Sequence, residues 1–499
     1  MTAVRLLLPQ GDLRRWHLAL IARLENAGAR VGVAMAPGPA TPLALQLCDD
    51  LEALLYGARA AANCEKIDAA PIGETACGDD AITFDLIGAD TPRNGALTLL
   101  YDGAPGAGAR DCALLDGRTP RLAVARVREA GFDILAEGLP ANERPWSLRA
   151  GRAAIAARIP ALAAMALRNA SDGAMRTAEP CVARRGPAAF LAASLAGRAK
   201  ARLARLVAHD EHWGVCWRPL GADGGAMARA AAGDGGWGDG GWRQLADDRR
   251  RYYADPFPFE HEGRLYLFCE EYPYATGKAV ISVAAIDGPG RIEQPRVVLE
   301  ADCHLSYPLV FRHAGEIWMM PESSAGGRLD LYRAERFPDR WVRDRTLIAG
   351  LSISDATPFV ADGAWRMTAT VAEDGGSSWD CLSLFAAPDP LGPWRRCGDE
   401  PVLIDASCAR PAGAVQSIGG ALWRPAQDCV GGYGRGLALC RIDHVGAAGL
   451  RQTVAARLGP PPSAAPGGVH TLNIGGGFEF IDAVGPRGKY ALSIPEDRG

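Results

Sequence analysis

The sequence predicts a multidomain chain, an α/β amino-terminal domain followed by an all-β five-bladed propeller. Three observations predict it. The 499 residues exceed what one ordinary core holds. The first third alternates strand-like apolar runs with helical periodicity, the signature of βαβ units. The second half repeats one hairpin plan: Pro256, Pro308, Pro358 and Pro411 stand 52, 50 and 53 residues apart, the period of a four-stranded blade. The expected boundaries are 1–180 for the α/β domain, 181–212 for a helical linker and 213–499 for the propeller.

A net charge of −4 and a pI near 6.1 supply no field for nucleic acid, so no nucleic-acid partner is expected. No uninterrupted apolar run approaches the ~18 residues of a membrane span, so no transmembrane segment is expected. Glycine (60) and proline (35) are abundant, but 48% hydrophobic residues argue against disorder. The 13 cysteines are scattered singly with no CxxC pair, which reads as free thiols in a reducing compartment. The first residues, MTAVRLLLPQGDLRRWH, lack a signal-peptide core, and the expected address is cytoplasmic.

In chain order, VRLLLP is a strand, 15 to about 27 a helix with Trp16, Leu20 and Leu24 on one face, and VGVAM the next strand. Together they form a βαβ unit of a parallel sheet. The turn GDLRRWH has no GxGxxG pattern, so dinucleotide binding is unsupported. His17 beside Arg14 and Arg15 reads as a solvated first-turn residue, with a phosphate contact as the alternative. FDLIG and LTLLYDG continue the sheet, and an alanine-rich helix over 153–169 closes it. Residues 183–205 form a basic amphipathic helix whose apolar side is mostly alanine. That favours packing between domains over a membrane surface. A glycine-rich loop over 221–241 leads into the propeller, and WGVCWRPL is the candidate strand that closes its ring.

Each propeller copy is a β-hairpin with polar residues at both ends. YADPFPFEHEGRLYLFCEE is the clearest copy. SYPLVFRHAGEIWMMPES, DATPFVADGAWRMTAT and ARPAGAVQSIGGALWRPAQD follow, and VHTLNIGGGFEFIDAV is a looser fifth. Pro256 and Pro308 each lie seven residues before a turn glycine; in the other copies the hairpin loop is expected to change length. Each proline is expected at the first residue of a strand, where no ladder donor is lost. Antiparallel reversal brings both ends of every hairpin to one face. Candidates there are Asp255, Glu270 or Glu271 (register with Glu322 favours Glu270), Tyr307, Glu322, Asp355, Thr370, Arg410, Arg424, Gln427, Asp428, His470 and Asp482. Carboxylates around a narrow channel must share protons, pair with arginines or bind a cation. Glycoside cleavage needs such a divided pair, one acid protonated and the other charged.

Two resemblances add to this. The stretch LTLLYDGAPGAGARDCALLDGRTP stands where formyltransferases carry a histidine loop, and the first domain weakly resembles theirs. The loop holds no histidine, so the resemblance implies a Rossmann-like, formyltransferase-like scaffold without formyl transfer. Asp102, Asp111 and Asp116 there read as solvated loop acids or caps. ADPFPF, SYPLVF, PES, ATPF, RPAG, WRPAQD, YGRG and VHTLN resemble the amino-terminal domain of the glucosamine inositolphosphorylceramide transferases. That domain is itself similar to the propellers of glycoside hydrolase families 43 and 32.

The second resemblance implies Asp255 as base or nucleophile, and Glu322 ahead of Asp355 as the acid. From their places at the hairpin ends, Glu270, Tyr307, Arg410, Arg424, Gln427, Asp428 and His470 read as substrate-binding, with Arg410 and Arg424 alternatively structural partners of the carboxylates; related propellers imply a central cation near His470, and no other cofactor is expected. The expected function is processing or binding of a carbohydrate or glycolipid head group. The alternatives are a non-catalytic glycan-binding or assembly module acting with a separate glycosyltransferase, and sugar formyl transfer by the first domain.

Overall fold

A computed structural model describes residues 2–56, 62–67, 75, 77–78, 80–169, 174–177, 182–238, 240–288, 290–446 and 449–488. The amino-terminal sheet runs in the order Arg30–Ala36, Ala3–Pro9, Ile82–Asp85, Leu97–Tyr101, Leu122–Arg128, Gly131–Gly138, Ala174–Arg176. The first four of these strands are parallel. The last three add antiparallel, so the sheet is mixed where a parallel one was expected. The cause is local: Leu122–Arg128 and Gly131–Gly138 are joined by a tight hairpin, which permits only antiparallel pairing.

The helix Arg15–Asn26 buries His17, Leu20 and Leu24. The alanine-rich stretch is two helices, Leu148–Ala156 and Ile159–Arg168, because Pro160 starts a new first turn. Arg158 sits at the break. Leu148–Arg168 is the one candidate membrane span among the described residues, but 72% of its apolar window is buried, and Ile155, Ile159 and Leu162 lie in the domain core. The helix Pro187–Val207 packs through Phe190 and Leu191 and leaves most of its remaining length exposed.

Five blades follow. The first four each begin with their innermost hairpin: Arg251–His261 with Arg264–Pro273, Ser306–His313 with Glu316–Glu322, Ile353–Ala361 with Ala364–Val371, and Gln416–Ile418 with Ala421–Asp428. The fifth blade joins Leu472–Gly475 and Phe478–Gly488 to Ala208–Pro219 and Arg243–Gln244. The segment WGVCWRPL thus closes the ring, hydrogen-bonding the first propeller strand in sequence to the last.

All five inner hairpins turn through two residues with positive φ: Glu262-Gly263, Ala314-Gly315, Asp362-Gly363, Gly419-Gly420 and Gly476-Gly477. Such turns match the strand twist and favour glycine at the second position. Loop length is therefore constant, contrary to the expectation from proline spacing, and the prolines themselves shift. They do not open strands. Pro256 and Pro308 lie inside their strands, at a bulge.

The two domains share packing. Cys381 and Ile404 of the third blade belong to the core of the α/β domain, and Leu139 exchanges backbone hydrogen bonds with Ile404 and Ala406. Arg23 pairs with Glu373, Asp374 and Glu400, and Arg158 with Asp380.

Candidate functional site at the propeller centre

The same bulge recurs in three blades. Pairing slips between Ala254 and Phe257, Ser306 and Leu309, and Ser354 and Thr357. Its first residue is Asp255, Tyr307 and Asp355 respectively, with φ of 49°, 49° and 54°. A bulge re-aims a side chain, and left-handed non-glycine residues in register mark a position held by its surroundings. The third bulge has Ala356 where the others have proline, which is why proline spacing misaligns that blade by two residues.

Hydrogen bonds link these positions around the ring. Asp482 Oδ2 accepts the Asp255 N–H (3.0 Å), Asp255 Oδ2 accepts the Tyr307 N–H (2.9 Å), and Glu322 Oε2 accepts the Asp355 N–H (3.0 Å). Asp255 Oδ1 also accepts from Thr471 Oγ1 at 2.6 Å. Each bulge donor therefore meets a carboxylate of the preceding blade.

Two charge clusters result. In the first, His470 lies with Nδ1 2.8 Å from Asp482 Oδ1 and Nε2 3.4 Å from Asp255 Oδ1. Burial opposes its charge, but the two carboxylates outweigh burial and raise His470 to about 9. Burial raises Asp255, and the His470 charge only partly offsets it. Asp255, His470 and Asp482 offer donor atoms within 4.8 Å of one another, a set able to converge on a cation. The Asp482 oxygens are already engaged by the N–H groups of Asp255, His470 and Thr471. With the direct 2.8 Å ring contact, this arrangement suits an imidazolium better than a metal ligand set.

In the second cluster, Arg410 Nε donates to Asp355 Oδ2 at 2.6 Å and its Nη2 approaches Glu322 Oε2 at 3.4 Å. One guanidinium faces two buried carboxylates, so the pair retains a proton. Burial pushes both up. Arg410 and hydrogen bonds from Asp355 and Ser324 outweigh burial at Glu322 and lower it, whereas Asp355 stays well above the carboxylate range. Burial thus favours the protonated form at Asp355 and Arg410 the charged form at Glu322, whereas the sequence expectation put Glu322 ahead of Asp355 as the acid.

The remaining candidates divide. Gln427 joins the cluster by donating to Asp355 Oδ2 at 3.0 Å, and Glu270 lies 3.3 Å from His304 Nε2. Tyr307 is fully buried, with its hydroxyl on Thr357 and the Gly413 N–H, so its side chain packs beneath the face. Arg424 points into the fourth blade, donating to Gln452 and the carbonyls of Cys408 and Ala409. Asp428 pairs with Arg457 at the blade edge. These last two left the face because residues alternate across a strand, and end position alone does not say which side they take.

Sequence reasoning missed the aromatic cover. Tyr433 stacks edge-on with His470 (5.2 Å), lies over Arg410 (5.1 Å) and meets Trp379 (5.5 Å), while Trp213 sits 4.0 Å from His470. The YGRG stretch was the available signal for Tyr433. Thr370, in register with Glu270 and Glu322, buries a hydroxyl without a partner, a polar atom at the centre awaiting one.

In the first domain, His17 is buried, not solvated: its Nδ1 accepts the Arg14 N–H at 2.9 Å. Asp111 is buried between Arg110 and Arg152, whereas Asp102 accepts the Arg121 N–H and Asp116 those of Arg184 and Arg185.

Residues 245–457 match the family model described as glucosamine inositolphosphorylceramide transferase 1, N-terminal. Glucosamine inositolphosphorylceramide transferase 1 of Oryza sativa subsp. japonica is 35% identical over 196 residues, covering 38% of this chain and 26% of the relative. The Arabidopsis thaliana protein of the same name is 32% identical over the same length and shares. The match thus spans about a quarter of these relatives. Among solved structures, a family 117 glycoside hydrolase, Zg3597, of Zobellia galactanivorans is 16% identical (TM-score 0.34), covering 47% of this chain and 85% of its own. CoXyl43, a GH43 β-xylosidase/α-arabinofuranosidase from a compost metagenome, is 13% identical (TM-score 0.36), covering 48% and 92%. Over 245–457, the part that carries the bulged aspartates and the Arg410 cluster, the chain is a homologue of the amino-terminal domain of glucosamine inositolphosphorylceramide transferase 1.

Proposed function

We propose that the propeller centre recognises the head group of an inositolphosphorylceramide-type glycolipid or a related glycan, and processes it by glycosyl transfer or hydrolysis. The observation that carries this reading is the Arg410–Asp355–Glu322 cluster within the matched segment: two buried carboxylates sharing one guanidinium. A sugar hydroxyl or leaving oxygen needs a proton source, and Asp355, where burial favours the protonated form, is the member to supply it. Asp255, raised but partnered by His470, is the opposite carboxylate. Tyr433 and Trp379 supply ring faces for a sugar.

A second reading, a glycan-binding module serving a separate transferase, is favoured by one observation. The same carboxylates accept inter-blade backbone N–H bonds, which gives them a structural reason to be present.

The test is turnover and binding on a glycan and inositolphosphorylceramide panel with wild type, Asp355→Asn and Asp255→Asn. Turnover by wild type that falls at least ~100-fold in Asp355→Asn, with binding kept, supports catalysis. Binding by all three with turnover by none establishes the module. Absence of binding by wild type refutes both.

A further inference from the structure

A second site lies in the α/β domain, and nothing about the propeller assigns it. From the strand Ala3–Pro9 the chain goes to Arg30–Ala36 on one side and later returns to Ile82–Asp85 on the other. Strand order reverses there, and the crevice beyond the carboxyl ends of such strands is where open α/β sheets bind ligands. A cavity of about 230 Å³ occupies it, lined among others by His17, Asp85, Thr98, Arg110 and Arg149 and by the start of the helix Gly106–Leu115.

Four polar atoms on its wall have no partner. His17 is 1% exposed. Its Nδ1 accepts the Arg14 N–H, so in the neutral ring that burial enforces, holding its pKa near 4, the proton is on Nε2, which is unsatisfied. Asp85 is 4% exposed. Its Oδ1 accepts the Ile87 N–H, and Oδ2 is unsatisfied. Arg149 Nε is the third, and Asp49 Oδ1, whose companion Oδ2 accepts from Arg152, is the fourth. Orphaned buried groups are costly to leave unpaired, and two nine-tenths buried ones on a single cavity wall point to a ligand that completes them.

The donor and acceptor pattern sets its class. Arg149 and His17 present N–H donors and want an anionic acceptor, and the helix start beside them favours negative charge. Asp85 and Asp49 want hydroxyl or amine donors. We propose that this cavity binds a small carboxylate or phosphate that also carries a hydroxyl or amino group, as a binding site separate from the propeller centre.

Calorimetry on the full chain tests this with glycerol 3-phosphate, glycerate and inorganic phosphate, with glycerol as the neutral control. Saturable binding of glycerol 3-phosphate or glycerate but not glycerol is expected, and which of the two binds tells phosphate from carboxylate. Arg149→Gln, at a partly exposed position, should weaken binding roughly tenfold or more. Asp85→Asn keeps the acceptor for Ile87 and should weaken the hydroxylated probes while sparing inorganic phosphate. No saturable binding by any anion, binding indifferent to both substitutions, or preference for 5-formyltetrahydrofolate would each overturn the proposal. Loss of propeller turnover in Asp355→Asn would leave it standing.

Discussion

The buried pair Arg158–Asp380 is expected to hold the third-blade loop against the α/β domain, and its removal has a calculable cost. Both side chains are about 1% exposed. Arg158 places Nε and Nη2 on the two Asp380 oxygens at 3.0 and 2.6 Å. It also donates to the carbonyls of Ser377 (2.6 Å) and Glu373 (2.9 Å). Asp380 otherwise keeps one partner, the Ala141 N–H at 2.7 Å. Arg158→Met preserves the stem but leaves a buried carboxylate nearly alone, and breaking such a pair costs about 3–5 kcal/mol. At 1.4 kcal/mol per decade, the fraction unfolded should rise about a thousandfold. Urea unfolding followed by tryptophan fluorescence measures it. The loop carries Ser378, bonded to Arg410, and Trp379 against Tyr433, so Trp379 should also become more accessible to acrylamide. Arg158→Met with Asp380→Leu should recover much of the loss, because the desolvation penalty disappears with the charges. A loss below about 1 kcal/mol in the single variant would refute the argument that this pair is desolvated and closed.

Further outcomes follow from the same geometry. His470, raised from 6.5 to about 9, contributes stability that is full below 6.5 and lost as pH rises through 9. Unfolding free energy should therefore drop over that window by up to about 3 kcal/mol, and His470→Gln should flatten the drop. Asp255, raised in the folded state to about 6, adds a decline of its own between about pH 4 and 6; a curve that rises between 6.5 and 9 would contradict the His470 argument. Arg410→Leu leaves Asp355 and Glu322 facing each other without a cation. Its destabilisation should be roughly 3 kcal/mol at pH 8 and smaller at pH 5, where protons replace the guanidinium, as paired urea titrations would show. Gly315→Val, at φ of 84° in an inner hairpin turn, should cost about 1–2 kcal/mol in the same assay.

The blades were legible because hairpin chemistry is local: Glu262-Gly263 and Ala314-Gly315 announce their turns in the sequence, and an alternating run follows each. Ring closure was legible for the same reason, as an isolated strand with no partner nearby. The bulge was not. It is defined by what opposes it, and Asp355 followed by alanine looks unlike Asp255 followed by proline although their backbones agree. Side-chain direction was legible only in part: Glu270, Glu322 and Thr370 share a register, but Arg424 and Asp428 took other faces. The antiparallel join of Leu122–Arg128 to Leu97–Tyr101, unlike the local hairpin that follows it, and the opposite shifts at Glu322 and Asp355 depend on contacts across longer sequence separations, which no local pattern encodes.

The carboxylates at the propeller centre bear on how any loss of activity must be read. Asp255 spends Oδ2 on the Tyr307 N–H and Oδ1 on Thr471 and His470. Asparagine has one acceptor oxygen and one donor nitrogen, so Asp255→Asn must turn its amide toward either Tyr307 or Thr471. Toward Tyr307 two donors meet, leaving the backbone N–H unsatisfied at about 1–3 kcal/mol. Toward Thr471 the hydroxyl rotates to accept, and the cost falls. The second arrangement keeps the inter-blade bond and removes only the charge facing His470, whose pKa should then fall. A variant that folds with near wild-type stability, titrates His470 lower by NMR and has lost turnover would separate the chemical role of Asp255 from its structural one. A variant that loses stability and activity together would show that the inter-blade bond is what Asp255 chiefly supplies, and the proton held by Asp355 would then be the better place to look for the reaction.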